Sequence, residues 1–331
     1  MRVRVATALF VIIVCSTNAL QPEAWALDGT PLYPPTLSGV TLEALNAQVS
    51  IAEDDIAADA CSPQHDPAKQ VWLGRLQGAK WQFREALLTL SSAIKESPST
   101  FPINARLHRH RGHRYITLRN FSKAEADLEI AATLIAKEPH DGWEPNVEPN
   151  DMPYNLPLQS HFFSVYYHLG LSKILKGDFA SAAQVYEKMQ RVVAGQFAND
   201  ESISATAHWH YMALRRSGAS STEAGRALSS VHPGMRTLDG TGYLDLALWY
   251  KGERPAPNLK NVSALDFATI GYGVGAHHFY SGDQKQAIAV WQEVVNSTYW
   301  AAFGYIAAEA ELYRLGVPLQ TPLQGPARSL W

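Results

Sequence analysis

Residues 169–189 read LGLSKILKGDFASAAQVYEKM, and this stretch decides the fold. An apolar run carrying Gly170 ends at Lys176-Gly177-Asp178, a sequence that stops one helix and starts the next. Phe179, Ala182, Tyr186 and Met189 then recur every three or four residues, the period of a second amphipathic helix. Gly170 has no Cβ and Ala182 has only a methyl group, so two antiparallel helices can approach closely at these points. Phe179 and Tyr186 are placed to fill the space on either side.

The same spacing returns on both sides of this stretch. Gly74 is followed by Phe83, Ala86, Leu90, Ala93 and Pro98; Gly112 is followed by Phe121, Ala124, Leu128 and Ala131. Downstream, Gly275 is followed by Gln284, Ala287, Trp291 and Val294. In all four segments the alanine stands twelve residues after the glycine. A fifth, degraded copy is expected from Ala205 to Val231, where Met212 replaces the glycine and Ala224 lies twelve further on. One such pair cannot bury its apolar stripe alone, so successive pairs must stack.

This pattern resembles the tetratricopeptide repeat family, best matched from Leu169-Gly170 to Met189. At the level of the whole chain it is also similar to secreted bacterial proteins of that repeat type. The resemblance covers roughly residues 68–310 and implies an all-α, right-handed α-solenoid of helix pairs. Two departures are visible. The glycines step by 38 (Gly74 to Gly112) and 58 (Gly112 to Gly170), against about 34 for the family. Two irregular insertions are therefore expected. Residues 138–160 carry five prolines and no helical period, and 232–262 hold an extra helix near Tyr243–Trp249. The solenoid is expected over 67–316, with a closing helix from Thr298 to Leu315. A lead-in over 27–66 holds one helix from Thr41 to Ala58, and a tail runs over 317–331.

Arg2 and Arg4 precede an uncharged run from Val5 to Cys15, and Ala24-Trp25-Ala26 offers small residues at the two positions a signal peptidase reads. The expectation is an export signal over 1–26, cut after Ala26, with a cut after Ala19 as the weaker option. The mature chain is then periplasmic or secreted, and no later segment spans a membrane. Cys15 leaves with the signal, so Cys61 has no partner for an internal disulfide. A formal charge of −3, from 28 basic and 31 acidic residues, argues against a nucleic-acid partner.

In the family the first helix of each pair lines the concave face. Carried over, the resemblance implies a groove lined by Arg75, Arg109, His113, Tyr167, His168, Trp209, Arg216, Tyr272 and Phe279. Arginine forks and aromatic faces suit a protein or peptide partner with carboxylates. The run His108-Arg109-His110-Arg111-Gly112-His113-Arg114 reads as an anion clamp or as packed histidines. No ligand set for a metal is completed there, and His208-x-His210 sets its imidazoles about 200° apart on a helix. Neither a catalytic motif nor a cofactor fingerprint is present; Gly271-Tyr272-Gly273-Val274-Gly275 lies within a repeat helix rather than after a strand. The expected function is an exported, non-enzymatic binding module that holds a protein or peptide in its groove. A scaffold subunit of an envelope complex is the first alternative, and an enzyme with its site between groove and 138–160 loop the second.

Overall fold

The computed structural model describes residues 21–59, 66–97, 103–136, 143–144, 159–193, 199–237 and 240–319. Residues 1–20 of the expected export segment, Cys61, most of the 138–160 insertion and residues 320–331 lie outside the described residues.

Among the described residues the chain is all-α, apart from two short strand pairs. A helix α1 (Gly39–Asp59) precedes the pairs α2 (Ala68–Ala79) with α3 (Phe83–Glu96), α4 (Ile103–Thr117) with α5 (Phe121–Ile135), and α6 (His161–Lys176) with α7 (Phe179–Val193). The degraded copy is α8 (Asp200–Arg216) with a truncated α9 (Ser221–Gly225) and a 3-10 turn. The second insertion holds α10 (Gly242–Tyr250), followed by α11 (Ala264–Tyr280) with α12 (Gln284–Val295), and last α13 (Phe303–Arg314). Each helix from α2 to α7 packs on the next, as the repeat pattern requires.

The four glycines do what their spacing predicts. Each faces the large residue four after the helix-pair alanine: Leu90 against Gly74, Leu128 against Gly112, Tyr186 against Gly170 and Trp291 against Gly275. A Cβ at Gly170 would stand 2.5 Å from the Tyr186 ring. The alanines Ala86, Ala124, Ala182, Ala224 and Ala287 are all fully buried. Tyr186 and Trp291 also donate to the carbonyls of Tyr167 and Tyr272, at 3.0 and 3.2 Å, tying second helix to first.

The turns between paired helices share one left-handed position. Gly177 (φ 89°) and Gly282 (φ 87°) hold it in two pairs, but Trp81 (φ 62°) and Arg119 (φ 61°) hold it in the first two. A side chain in this region costs roughly 1–3 kcal/mol, which glycine avoids.

The segment from Glu23 to Tyr33 folds onto α3 and the region of α13. Strand β1 (Ala24–Trp25) pairs antiparallel with β2 (Pro31–Leu32), and Ala24 and Ala26 are buried in the main core. Glu23 accepts from the Arg84 amide at 2.8 Å, and the Arg84 guanidinium lies 4.6 Å over the Trp25 ring. Within the first insertion, β3 (Trp143–Glu144) pairs antiparallel with β4 (Gln159–Ser160).

Candidate functional site

The first helices α2, α4, α6, α8 and α11 carry the candidate residues, and α13 packs against four of them: His113, Tyr167, His168 and Arg216. This helix is apolar on nearly every side: Ile306, Ala308, Ala310 and Leu312 are fully buried. Its two carboxylates are buried as completely, Glu309 at 0 % and Glu311 at 1 % exposure, so each must be paired to be tolerated. Both are. Arg119, at the end of α4, donates to Glu309 through Nε and Nη2, the latter at 2.7 Å, and the Leu27 amide adds a bond at 2.9 Å. Arg216, at the end of α8, grips Glu311 with Nε at 3.1 Å and Nη2 at 2.8 Å. Arg314 reaches back to Glu311 at 3.0 Å and donates to the Leu175 carbonyl of α6 at 3.1 Å. The carboxylates expected on a bound peptide are thus supplied by the chain itself.

The other candidates sort by their distance from α13. His113 and His168 lie 4.7 Å apart, and the Phe303 ring of α13 sits 5.0 Å from the first and 5.4 Å from the second. Burial, with the Arg114 charge beside it, holds His113 well below the usual imidazole range. Tyr167 also meets Phe303, at 6.0 Å, and its hydroxyl pairs with that of Tyr243 at 2.8 Å while accepting from Trp209 Nε1 at 3.1 Å. Trp209 stacks on Tyr272 at 5.6 Å, both 1 % exposed. Phe279 is covered by the Arg216 guanidinium at 4.9 Å. These side chains do share one internal face, but they form a packed aromatic and ionic core rather than an open receptor.

At the other end of the row positive charge accumulates. Arg75 lies 5.4 Å over Trp72, and Arg109 is buried against the His110 ring at 3.0 Å. Arg114, stacked over Phe83 at 5.4 Å, is pushed down to about 9 by burial and by repulsion from Arg109 and Arg75. The remaining basic residues of the run are answered internally. Asp127 of α5 takes a fork from Arg111, with both bonds at 2.7 Å, and a further bond from His108 Nδ1 at 2.8 Å. Arg111 holds the Asp127 carboxyl below the usual carboxylate range, against the opposing effect of burial. His210 Nδ1 bonds Gln190 at 2.7 Å, and His208 is enclosed by Trp209, Tyr243 and Tyr250. Burial lowers His208 to about 3. No group of three or more metal-ligating side chains occurs among the described residues.

Four residues that hold this arrangement together were not singled out from the sequence: Trp81, Arg119, Glu309 and Glu311. Trp81 meets Trp300 and Tyr299 at 5.1 and 5.2 Å, just before α13. Trp300 in turn donates to the Tyr33 carbonyl at 2.7 Å. A signal for two of them was present. Trp81 and Arg119 stand where the other paired turns place glycine, and both spend that strained position on reaching the last helix.

An open concavity does exist elsewhere. A recess of ≈ 860 Å³ lies between α5, α6 and α7, lined in part by Ala132, Tyr166, Lys173, Val185 and Lys188. Lys188 donates to the Tyr166 hydroxyl at 2.6 Å and lies 4.5 Å over its ring, whereas Lys173 is held by Glu125 and Glu129.

No protein-family model matches the chain, and no curated protein matches it either. Among solved structures, the chain is similar to a tetratricopeptide repeat protein from Parabacteroides merdae, at 14% identity, covering 82% of this chain and 94% of that one with a TM-score of 0.46.

Proposed function

We propose that this protein is an exported, non-enzymatic scaffold of helix pairs whose groove is closed by its own last helix, and which engages protein partners on its outer surface. One observation carries this reading: Arg216, the groove arginine best placed to hold a partner's carboxylate, is already bound to Glu311 of α13. A ligand entering there must break two buried ion pairs and lift out a helix with almost no exposed apolar side chain. Breaking one buried pair by removal of a partner costs about 3–5 kcal/mol, so displacement by a short peptide is unfavourable.

Hydrogen exchange across residues 303–314 tests the reading, measured with the protein alone and with partners captured from an envelope extract. The α13 amides are expected to stay protected in the complex. Faster exchange in α13 on capture would reinstate the groove as receptor.

For the export signal we propose a cut earlier than Ala26. A cut after Ala26 would discard β1, the Glu23 and Trp25 contacts with Arg84, and two buried alanines. A cut after Ala19 keeps them all, so maturation after Ala19 is the version proposed. N-terminal sequencing of the exported protein is expected to begin at Leu20; a start at Leu27 would refute this placement.

A further inference from the structure

α1 is apolar on two opposite sides, and one of them is uncovered. Val49 and Ala52, flanked by Leu45 and Ile56, pack with Leu73, Leu76 and Trp72 of α2 in a small cluster separate from the main core. On a 3.6-residue period, Val40, Ala44, Ala47, Ile51 and Ala58 gather about 220° round the helix from that row. All five are exposed, Val40 at 81% and Ile51 at 62%. The end helix of a stack ordinarily turns a polar face outward, because nothing follows to cover it. Here the outward stripe is apolar.

Charge borders this stripe on both edges. The same helical period places Glu43 and Asp54 along one edge and Asp55 along the other. Counting Glu53 and Asp59 as well, the sequence of α1 holds five carboxylates and no basic residue. An apolar stripe on a helix with five carboxylates and no basic residue, edged by Glu43 and Asp54 on one side and by Asp55 on the other, is complementary to an amphipathic helix whose own stripe runs between lysines or arginines. Two copies of α1 face to face would set acid against acid, which argues against a second α1 as the occupant.

We propose that α1 is the docking surface of this scaffold, and that its partner contributes a basic amphipathic helix. The proposal rests on the scaffold reading above and names where and what that scaffold binds.

The test uses the full chain and two synthetic helical peptides. One carries a leucine stripe flanked on both sides by lysines; the other has glutamates in place of those lysines. Fluorescence anisotropy is expected to show binding of the lysine peptide, weakening as salt rises, and none of the glutamate peptide. Val40→Ser/Ile51→Ser should weaken lysine-peptide binding at least tenfold while circular dichroism and melting temperature hold. Glu43→Lys/Asp54→Lys should weaken it similarly and flatten its salt dependence. Undiminished binding by Val40→Ser/Ile51→Ser, or no binding by the unaltered protein, overturns the assignment. So does preferential binding of the glutamate peptide that Lys188→Glu abolishes, which would move docking to the recess beside Tyr166. None of these failures touches the scaffold reading, which is decided by exchange in α13.

Discussion

The first helix and the last are both rich in alanine and carry carboxylates, yet the protein treats them in opposite ways. In α13 the acids are central and wholly buried, each held by an arginine from a neighbouring first helix. In α1 Glu43, Glu53, Asp54 and Asp55 all lie at the surface, and half of the apolar surface lies there with them. The difference is one of partners. α13 is surrounded by α6, α11 and α12, whereas α1 rests mainly on α2. A helix that is apolar all round belongs inside, and one that is apolar on two sides is waiting for a second neighbour.

The comparison is broken most severely at Arg119. Arg119→Ala leaves Glu309 buried without its fork and is expected to cost about 3–5 kcal/mol in chemical denaturation. The double change Arg119→Leu/Glu309→Leu should recover most of that, because paired removal spares the desolvation penalty. If Arg119→Ala proves harmless, α13 is not held as described. Next comes the packing that places the groove wall. Gly170→Ala drives a methyl into the Tyr186 ring, with an expected loss of about 1–3 kcal/mol.

Acid should sharpen the contrast further. His208 is held neutral, with its folded pKa near 3 against an ordinary 6.5. The unfolded chain therefore binds the extra proton, and His208 contributes stability that is complete above pH 6.5 and lost as pH falls below it. The loss approaches about 1.4 kcal/mol per pH unit below pH 6. Unfolding midpoints at pH 7, 6 and 5 should fall less steeply for His208→Leu; equal slopes would contradict the assignment. At the far end of the scale, Ile51→Ser on the open side of α1 should change stability by less than about 0.5 kcal/mol. A loss of several kcal/mol there would mean that this face is already covered.

Much of the architecture was legible because glycine and alanine report backbone proximity directly. Gly74, Gly112, Gly170 and Gly275 each mark a contact between paired helices, and their spacing carried through to the pairs. The degraded copy was legible for the same reason: Ala224 is buried although α9 is cut short. The resemblance put Tyr167, His168, Trp209, Arg216 and Tyr272 on first helices, where they lie. The occupant of that surface did not. Periodicity marked a closing helix over Thr298–Leu315, of which Phe303–Arg314 is helical, but could not say whether it caps the stack or enters it. That choice depends on Arg119 and Arg216 finding Glu309 and Glu311 across 190 and 95 residues, a pairing no local pattern encodes. The burial of Ala24 and Ala26 was hidden too, because small residues before a turn look alike to a peptidase and to a core.

The bond from the Leu27 amide to Glu309 spans 282 residues. A repeat array normally assembles neighbour by neighbour and can begin while synthesis continues. This array also depends on a distant contact, because α13 comes after all the helices it packs against. Until α13 is made, the rings of His113, Tyr167 and His168 lack their contact with Phe303. Loss of residues 303–314 is therefore expected to leave Arg119 and Arg216 without their carboxylates and to destabilise distant helix pairs, rather than to shorten the array by one unit.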